Sequence, residues 1–168
     1  VLTENVSAPA LDPGVLVLIL DTTHAYDGFV IFRHEPVAPR ELGSAKRRLR
    51  PGDVIISRLR PYLRQVAYVD AQLFALVPGG NEVAASTEFF VLRGRAGFDA
   101  ACLVPFLLSA QVQLALAAGQ EGGHHPRFAR ELLLSLAVPD RAVDNPRATA
   151  TRARALTAGL RRALQGGR

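Results

Sequence analysis

Short apolar runs separated by Pro- and Gly-containing turns dominate the first half of the chain, a pattern typical of strands. Val15–Leu20 is continuously apolar, as a buried strand would be. Asp27-Gly28 is a strong turn motif, so Phe29–Arg33 is predicted to be the partner strand of a hairpin. The further predicted strands are Val54–Arg58, Gln65–Val69, Leu73–Val77 and Glu88–Arg93, the last with Phe89 and Phe90 on opposite faces.

Helical patterns dominate the second half of the chain. Asp99 is a suitable N-cap for a helix over Ala100–Ala118 that ends at Gly119, and Pro105 is expected to delay its start or to kink it. A shorter helix is predicted over Phe128–Ser135. The segment Glu41–Arg50 is polar, and we expect it to be exposed and to hold one helical turn.

The C-terminal residues predict one more helix, from about Pro146 to Leu164. Asp144 or Asn145 can cap its N-terminus. Leucines recur at every fourth position along it, with arginines around them, so the helix has an apolar face that requires a partner surface. Those leucines are Leu156, Leu160 and Leu164.

These elements predict a mixed α/β (α+β) fold with a largely antiparallel twisted sheet, a few packing helices and a C-terminal helix. We assign residues 1–140 to one domain and residues 141–168 to a basic helix. The single cysteine favours a reducing, cytoplasmic location, and no signal peptide or membrane segment is visible. The sequence contains no methionine, so we expect a piece of a longer polypeptide.

Positive charge is confined to two segments. Residues 46–64 and residues 141–168 each carry a net charge of +6, so the remaining residues sum to −7 in a chain of net charge +5. Nineteen of the twenty basic residues are arginine, which GC-rich coding can also produce, but coding bias does not explain the clustering. The distribution predicts a polyanionic ligand, with nucleic acid favoured over a solvated surface run.

The candidate ligand-binding residues follow from this charge pattern. Arginine can bind phosphate or guanine through two parallel N–H groups, and an exposed tyrosine can stack or donate a hydrogen bond. Hydroxyls before a strand and a Gly-rich loop before a helix are weaker candidates, since both are common in ordinary turns. The first group is Lys46, Arg47, Arg48, Arg58, Arg60, Tyr62 and Arg64; the second is Ser86, Thr87, His124, His125 and Arg127.

Catalytic and metal-binding motifs were sought and not found in the sequence. There is no P-loop, no GxSxG and no HExxH, and Asp53 has no companion carboxylate of the kind that nucleases use. His124 and His125 could join Cys102 as metal ligands, but no further cysteine or carboxylate pair completes the set. We therefore expect a protein that is not an enzyme, with no cofactor and no metal.

Four sequence blocks, in order, resemble the target recognition domain of type I restriction–modification specificity subunits. They are Arg-Pro-Gly-Asp-Val-Ile-Ile-Ser-Arg-Leu-Arg-Pro (50–61), Ser-Thr-Glu-Phe-Phe-Val-Leu (86–92), Phe-Leu-Leu-Ser (106–109), and Gly-Gly-His-His-Pro-Arg (122–127) continuing to Pro139. The similarity covers roughly residues 15–140. After Pro139 the family commonly has a Glu-Gln pair where this chain has Asp-Arg, which favours a half-subunit or the specificity domain of a larger methyltransferase.

The resemblance implies a non-catalytic module that reads part of a double-stranded DNA site and delivers a methyltransferase, and where present a restriction subunit, to it. Family members usually pair two such domains through long helices, so self-association through the C-terminal helix is a further expectation. Two alternatives stay open. One is an RNA or modified-base reader of the small β-barrel type, and the other is a protein-assembly module built on the terminal helix.

Overall fold

The computed structural model describes residues 5–7, 10–31, 35–75, 77, 82–95, 98–139 and 145–166. The strands are β1 Asn5–Val6, β2 Val17–Leu20, β3 Ala25–Tyr26, β4 Phe29–Val30, β5 Lys46–Arg48, β6 Val54–Ser57, β7 Val66–Tyr68, β8 Glu82–Ala85, β9 Phe89–Leu92, β10 Gln120–Glu121 and β11 Arg127–Phe128. The helices are α1 Ala71–Ala75, α2 Leu103–Leu107, α3 Ala110–Ala118, α4 Arg130–Ser135 and α5 Pro146–Gly166. The predicted mixed α/β class is confirmed.

A three-stranded antiparallel sheet, in the order β7-β6-β9, lies at the centre of the molecule. Its side chains alternate between two separate apolar cores, as the two-residue period of a strand requires. Ile55 and Phe89 enter a core that contains residues of β2 and β8, whereas Ile56 and Phe90 enter a core that contains residues of α2, α3 and α5. The prediction that Phe89 and Phe90 occupy opposite faces is therefore confirmed.

The second sheet has four strands in the order β1-β5-β8-β2, and β2 pairs with β8 in parallel. The predicted hairpin at Asp27-Gly28 is confirmed, since this turn joins β3 to β4 and pairs Phe29 with Tyr26. Asp27 and Gly28 have φ values of 43° and 100°, as a two-residue hairpin loop requires. Arg33, at the end of the predicted strand, lies outside the described residues.

The helix predicted over Ala100–Ala118 is divided into a 3-10 turn at Ala100–Cys102, α2 and α3, and the two helical parts are bent by 74°. The Ser109 hydroxyl accepts a hydrogen bond from the amide of Val112 and so begins a new helix. Asp99 caps the first turn, and Gly119 ends α3, as predicted. No single described helix has the length and hydropathy to cross a membrane, although this bent pair meets that criterion by length and composition.

Three other local predictions are wrong. Leu73–Val77 was predicted to be a strand, but its first residues belong to the helix α1. The Asp70 carboxylate accepts a hydrogen bond from the amide of Leu73 and so favours the helix. The basic residues Lys46–Arg48 form the strand β5 between β1 and β8, where a helical turn was expected. Arg127–Phe128 is also a strand, so the helix α4 begins only at Arg130.

The C-terminal helix α5 packs on the body of the protein through its first three turns. Asn145 accepts a hydrogen bond from the amide of Ala148, which confirms one of the two predicted caps; Asp144 lies outside the described residues. The side chains of Ala150 and Ala153 are buried against the helical side of the molecule, and the Thr157 hydroxyl donates to the Gly28 carbonyl. Small residues therefore allow the helix to approach closely.

Asp53 is a buried charge that fixes the start of β6. Its side chain is 0% exposed and accepts two hydrogen bonds from the Arg93 guanidinium, Nε to Oδ1 at 2.7 Å and Nη2 to Oδ2 at 2.8 Å. Oδ2 also accepts a bond from the amide of Arg50 at 2.8 Å. The carboxylate thus joins the Pro51-Gly52 turn to the far end of β9, and it has a structural role.

We expect Asp53→Asn to lower the free energy of unfolding by about 3 kcal/mol, because it removes the negative charge that binds the Arg93 guanidinium in a largely buried site. Urea denaturation monitored by circular dichroism measures this change. Glu35→Gln, at an exposed carboxylate, is the control and should shift stability by less than about 0.5 kcal/mol. Equal stability of the two variants would contradict the role assigned to Asp53.

Candidate nucleic-acid interface

Main-chain hydrogen bonds join the exit of β6 to the Gly-rich loop, two segments far apart in sequence. The Arg60 amide donates to the Pro126 carbonyl at 2.8 Å, and the Phe128 amide donates to the Arg58 carbonyl at 3.1 Å. The loop is itself the connection of a small hairpin between β10 and β11. As a result, Arg58 and Arg60 share one surface with the loop residues His125 and Arg127.

Glu88 lies between two arginines of this surface, and we call Arg58, Glu88 and Arg127 the Glu88 cluster. Arg127 holds the carboxylate with two charge-assisted hydrogen bonds, Nη2 to Oε1 at 2.7 Å and Nε to Oε2 at 2.9 Å. Arg58 Nε lies 3.4 Å from Oε2, and its guanidinium is 6.0 Å from the centroid of the Phe90 ring. The cluster therefore combines an ion pair with a cation–π contact at the edge of the core.

The electrostatics of the cluster favour its fully charged form. The hydrogen bond from Arg127 is the main cause that lowers the pKa of Glu88 below its usual 4.5, and it outweighs the opposing effect of burial. The same contact raises the pKa of Arg127 above its ordinary value. The three side chains hold two positive charges and one negative charge, so the cluster has a net charge of +1.

A cleft of about 580 Å³ opens beside the Glu88 cluster. Arg47, Arg58 and Arg127 line it, together with the largely buried Phe90 and Phe128. Arg47 lies in β5, whereas Arg58 follows β6 of the other sheet. The remaining lining residues are Glu121, Gly122, Ala129, Arg130 and Glu131. Such a cleft can bind phosphate or the edge of a base through several N–H donors.

A rigid turn, residues 60–64, projects next to the cleft. Arg60 and Arg64 flank it in left-handed conformations, with φ values of 49° and 54°, which are uncommon outside glycine. Arg64 Nε donates to Asp27 Oδ1 at 3.0 Å, and Arg60 Nη2 lies 3.4 Å from Nδ1 of His125. Tyr62, at the middle of the turn, is 56% exposed. Contacts at both ends therefore hold the turn that carries the exposed Tyr62.

Two of the first-group residues make intramolecular contacts elsewhere. The Lys46 ammonium donates to the carbonyls of Leu42 and Ser44 at 2.9 and 3.0 Å. Arg48 Nε lies 3.1 Å from Oε2 of Glu82. Neither residue lines the cleft, so much of the positive charge at the start of the basic segment stabilises the local structure of β5 and the loop before it.

The weaker candidates divide in the same way. The Ser86 hydroxyl accepts a hydrogen bond from the Glu88 amide at 3.3 Å and so stabilises the turn before β9. Thr87 and His124 are exposed. Cys102 is buried in the core on the helical side, and the described residues contain no group of three His, Cys, Asp or Glu side chains that could hold a metal ion.

The carboxylates that bind the arginines are not evident from the sequence. Local pattern indicates Glu88 only as the first residue of a strand, and Asp27 only as part of a turn. Each is separated by more than thirty residues from the arginine that it binds, so local pattern gives no indication of the pairing. A lone acid at the start of an otherwise apolar strand was the available sign, because a charge at such a position requires a partner.

Comparison with known proteins relates this arrangement to solved structures. No family model matches the chain, and no curated protein matches it. A structure that describes complex assembly and conformational transition of the type I R-M system superposes with a TM-score of 0.69 at 22% identity over 98% of this chain. The crystal structure of the HsdS subunit from Thermoanaerobacter tengcongensis superposes with a TM-score of 0.65 at 19% identity, again over 98%.

The chain spans 41% of the length of each of these two proteins. At these identities the likeness concerns the fold. The predicted resemblance to a target recognition domain of type I specificity subunits is therefore confirmed as a resemblance of fold, and it extends along nearly the whole of this chain.

The Glu88 cluster predicts a specific acid response. Because the pKa of Glu88 is lowered in the folded protein, the cluster contributes stability above about pH 4.5 and loses it as the pH falls through the lowered pKa. As the pH falls below 4.5, the free energy of unfolding should decrease less for Glu88→Gln than for the wild type. Urea denaturation at several pH values measures both curves. Glu121→Gln is the control, at an exposed carboxylate of the same cleft, and should follow the wild type. Parallel curves for Glu88→Gln and the wild type would contradict this assignment.

Proposed function

We propose that this chain is a DNA target recognition module of a restriction–modification system, and that it directs a methyltransferase, and where present a restriction subunit, to a duplex site. The observation that carries the proposal is the cleft lined by Arg47 of β5, Arg58 after β6 and Arg127 of β11, which meet only in the folded chain. The fold shared with type I R-M structures supports it. The module itself is proposed to be non-catalytic.

The chemistry of the interface suits duplex DNA. Guanidinium groups bind phosphate oxygens and the O6 and N7 atoms of guanine through paired N–H donors. Tyr62 adds an exposed ring on a turn held at both ends, which costs little conformational entropy on binding. We assign Arg47, Arg58, Arg60 and Arg127 to direct contact with DNA, together with Tyr62, Thr87, His124 and His125 at its margin.

The two alternatives have weaker support. An RNA or modified-base reader of the small β-barrel type requires a closed sheet, and the sheets formed by the described residues stay open. An assembly module is favoured by one observation, namely that Leu156 and Leu160 of α5 are 67% and 43% exposed. We include self-association through α5 in the proposal, since Leu156 and Leu160 do not line the cleft.

Removing positive charge from the interface tests the DNA assignment. We expect the double variant Arg58→Gln with Arg60→Gln to bind duplex DNA more weakly than the wild type. The slope of log K against log salt should fall by about 0.9 for each of the two arginines that meets a phosphate. Fluorescence anisotropy with a labelled duplex, measured at several salt concentrations, gives both quantities.

The control is Arg40→Gln with Arg95→Gln, which removes two exposed arginines that do not line the cleft. It should retain nearly the wild-type affinity. Equal losses in the two double variants would indicate that only net charge matters, and unchanged affinity and slope in the first would refute the assignment of this surface.

The leucines of α5 give a separate test. We expect the wild type to self-associate with increasing concentration. The double variant Leu156→Glu/Leu160→Glu should remain monomeric. Its circular dichroism should be unchanged, because both side chains are exposed and make no contribution to the core. Leu134→Glu, at another exposed leucine on α4, is the control. Sedimentation velocity that shows a monomeric wild type at all concentrations would refute association through α5.

A further inference from the structure

We propose that Glu88 is a positioning and specificity-determining residue of the DNA interface, which holds Arg127 and Arg58 for base contact and opposes their use as free phosphate-binding cations. The inference rests on the proposed function and deepens it. Glu88 does not supply positive charge, and the charge pattern of the sequence gave it no role. Its position between two arginines on the cleft is the observation that assigns one.

The contacts of Arg127 define what it can offer to a ligand. Nε and one hydrogen of Nη2 bind the Glu88 carboxylate, and one hydrogen of Nη1 binds the His125 carbonyl at 3.0 Å. Of the five N–H groups of a guanidinium, these contacts use three, which leaves one hydrogen on each terminal nitrogen. An arginine held in this way keeps two donors in a fixed plane, and a base edge offers acceptors for such directed donors.

The carboxylate is itself held in place. The Glu88 amide donates to the Ser86 hydroxyl, and the Glu88 carbonyl accepts from the amide of Arg58 at 2.9 Å. Phe89 and Phe90, which follow it, are both buried, one in each core. The backbone at Glu88 is therefore fixed by main-chain bonds and by packing on both sides of the sheet, so the carboxylate can fix the arginines in turn.

Charge gives the second part of the argument. A phosphate is attracted by net positive charge with little regard to donor direction, whereas a base edge requires directed donors. The Glu88 carboxylate removes one unit of charge from a pair of cations and adds a negative charge that repels phosphate. It thereby weakens sequence-independent binding and retains the directed donors. The lowered pKa of Glu88 keeps that charge present at neutral pH.

The test uses the complete chain and a duplex pool with a randomised central segment. For the wild type we expect affinity selection to enrich a sequence motif. For Glu88→Gln we expect tighter binding to the unselected pool and a salt slope steeper by about 0.9 for each arginine released to phosphate. The motif enriched by Glu88→Gln should show a weaker base preference at one or more positions. A wild type that binds no duplex would refute the proposed function itself.

Two further variants separate positioning from charge. Glu35→Gln removes an exposed carboxylate that does not line the cleft, and we expect it to leave the enriched motif unchanged. Glu88→Asp keeps the charge but shortens the side chain, so it should weaken the motif without steepening the salt slope as Glu88→Gln does. It also provides a test if Glu88→Gln does not fold. If the folded Glu88 variants enrich the same motif as the wild type and have the same salt slope, this inference is wrong. The proposed function would then remain intact.

Discussion

The burial of β6 on both faces is the constraint on which the rest of the structure depends. Every residue of Val54–Ser57 is buried, so this strand must be covered on each side, by the four-stranded sheet on one and by the helices on the other. The buried Asp53 carboxylate fixes where the strand begins, since it joins the Pro51-Gly52 turn to Arg93. With both faces of β6 occupied, the strand meets the surface only at its two ends, and Arg58 and Arg60 follow its C-terminal end.

Main-chain pairing then converts this exit into an interface. The segment 58–60 forms hydrogen bonds with 126–128, and so brings Arg127 beside Arg58 without any requirement on the side chains. Glu88 enters from the adjacent strand β9, because Ser57 and Phe89 are partners across the ladder. Backbone geometry therefore sets the distances within the Glu88 cluster.

The elements that depend on neighbouring residues could be predicted from local sequence patterns. The alternation in Phe89–Leu92, the caps Asp99 and Asn145, and the turn at Asp27-Gly28 all depend on residues a few positions apart. Pairings between distant segments were not predictable, notably the parallel pairing of β2 with β8 and the placement of β5 between β1 and β8. The same limit applied to the site, where the arginines could be named from sequence but their carboxylate partners could not.

Those partners reduce the positive charge that the basic segment, residues 46–64, can offer to a ligand. Lys46 binds main-chain carbonyls, Arg48 pairs with Glu82, and Arg64 pairs with Asp27, so the net charge of residues 46–64 overstates the charge offered to a ligand. A surface built for affinity alone would leave such cations unpaired, because each free cation adds to phosphate attraction. Pairing them restrains their side chains and lowers the sequence-independent attraction at the same time. For the proposed DNA-binding role, this pairing would favour discrimination between sequences over strength of binding.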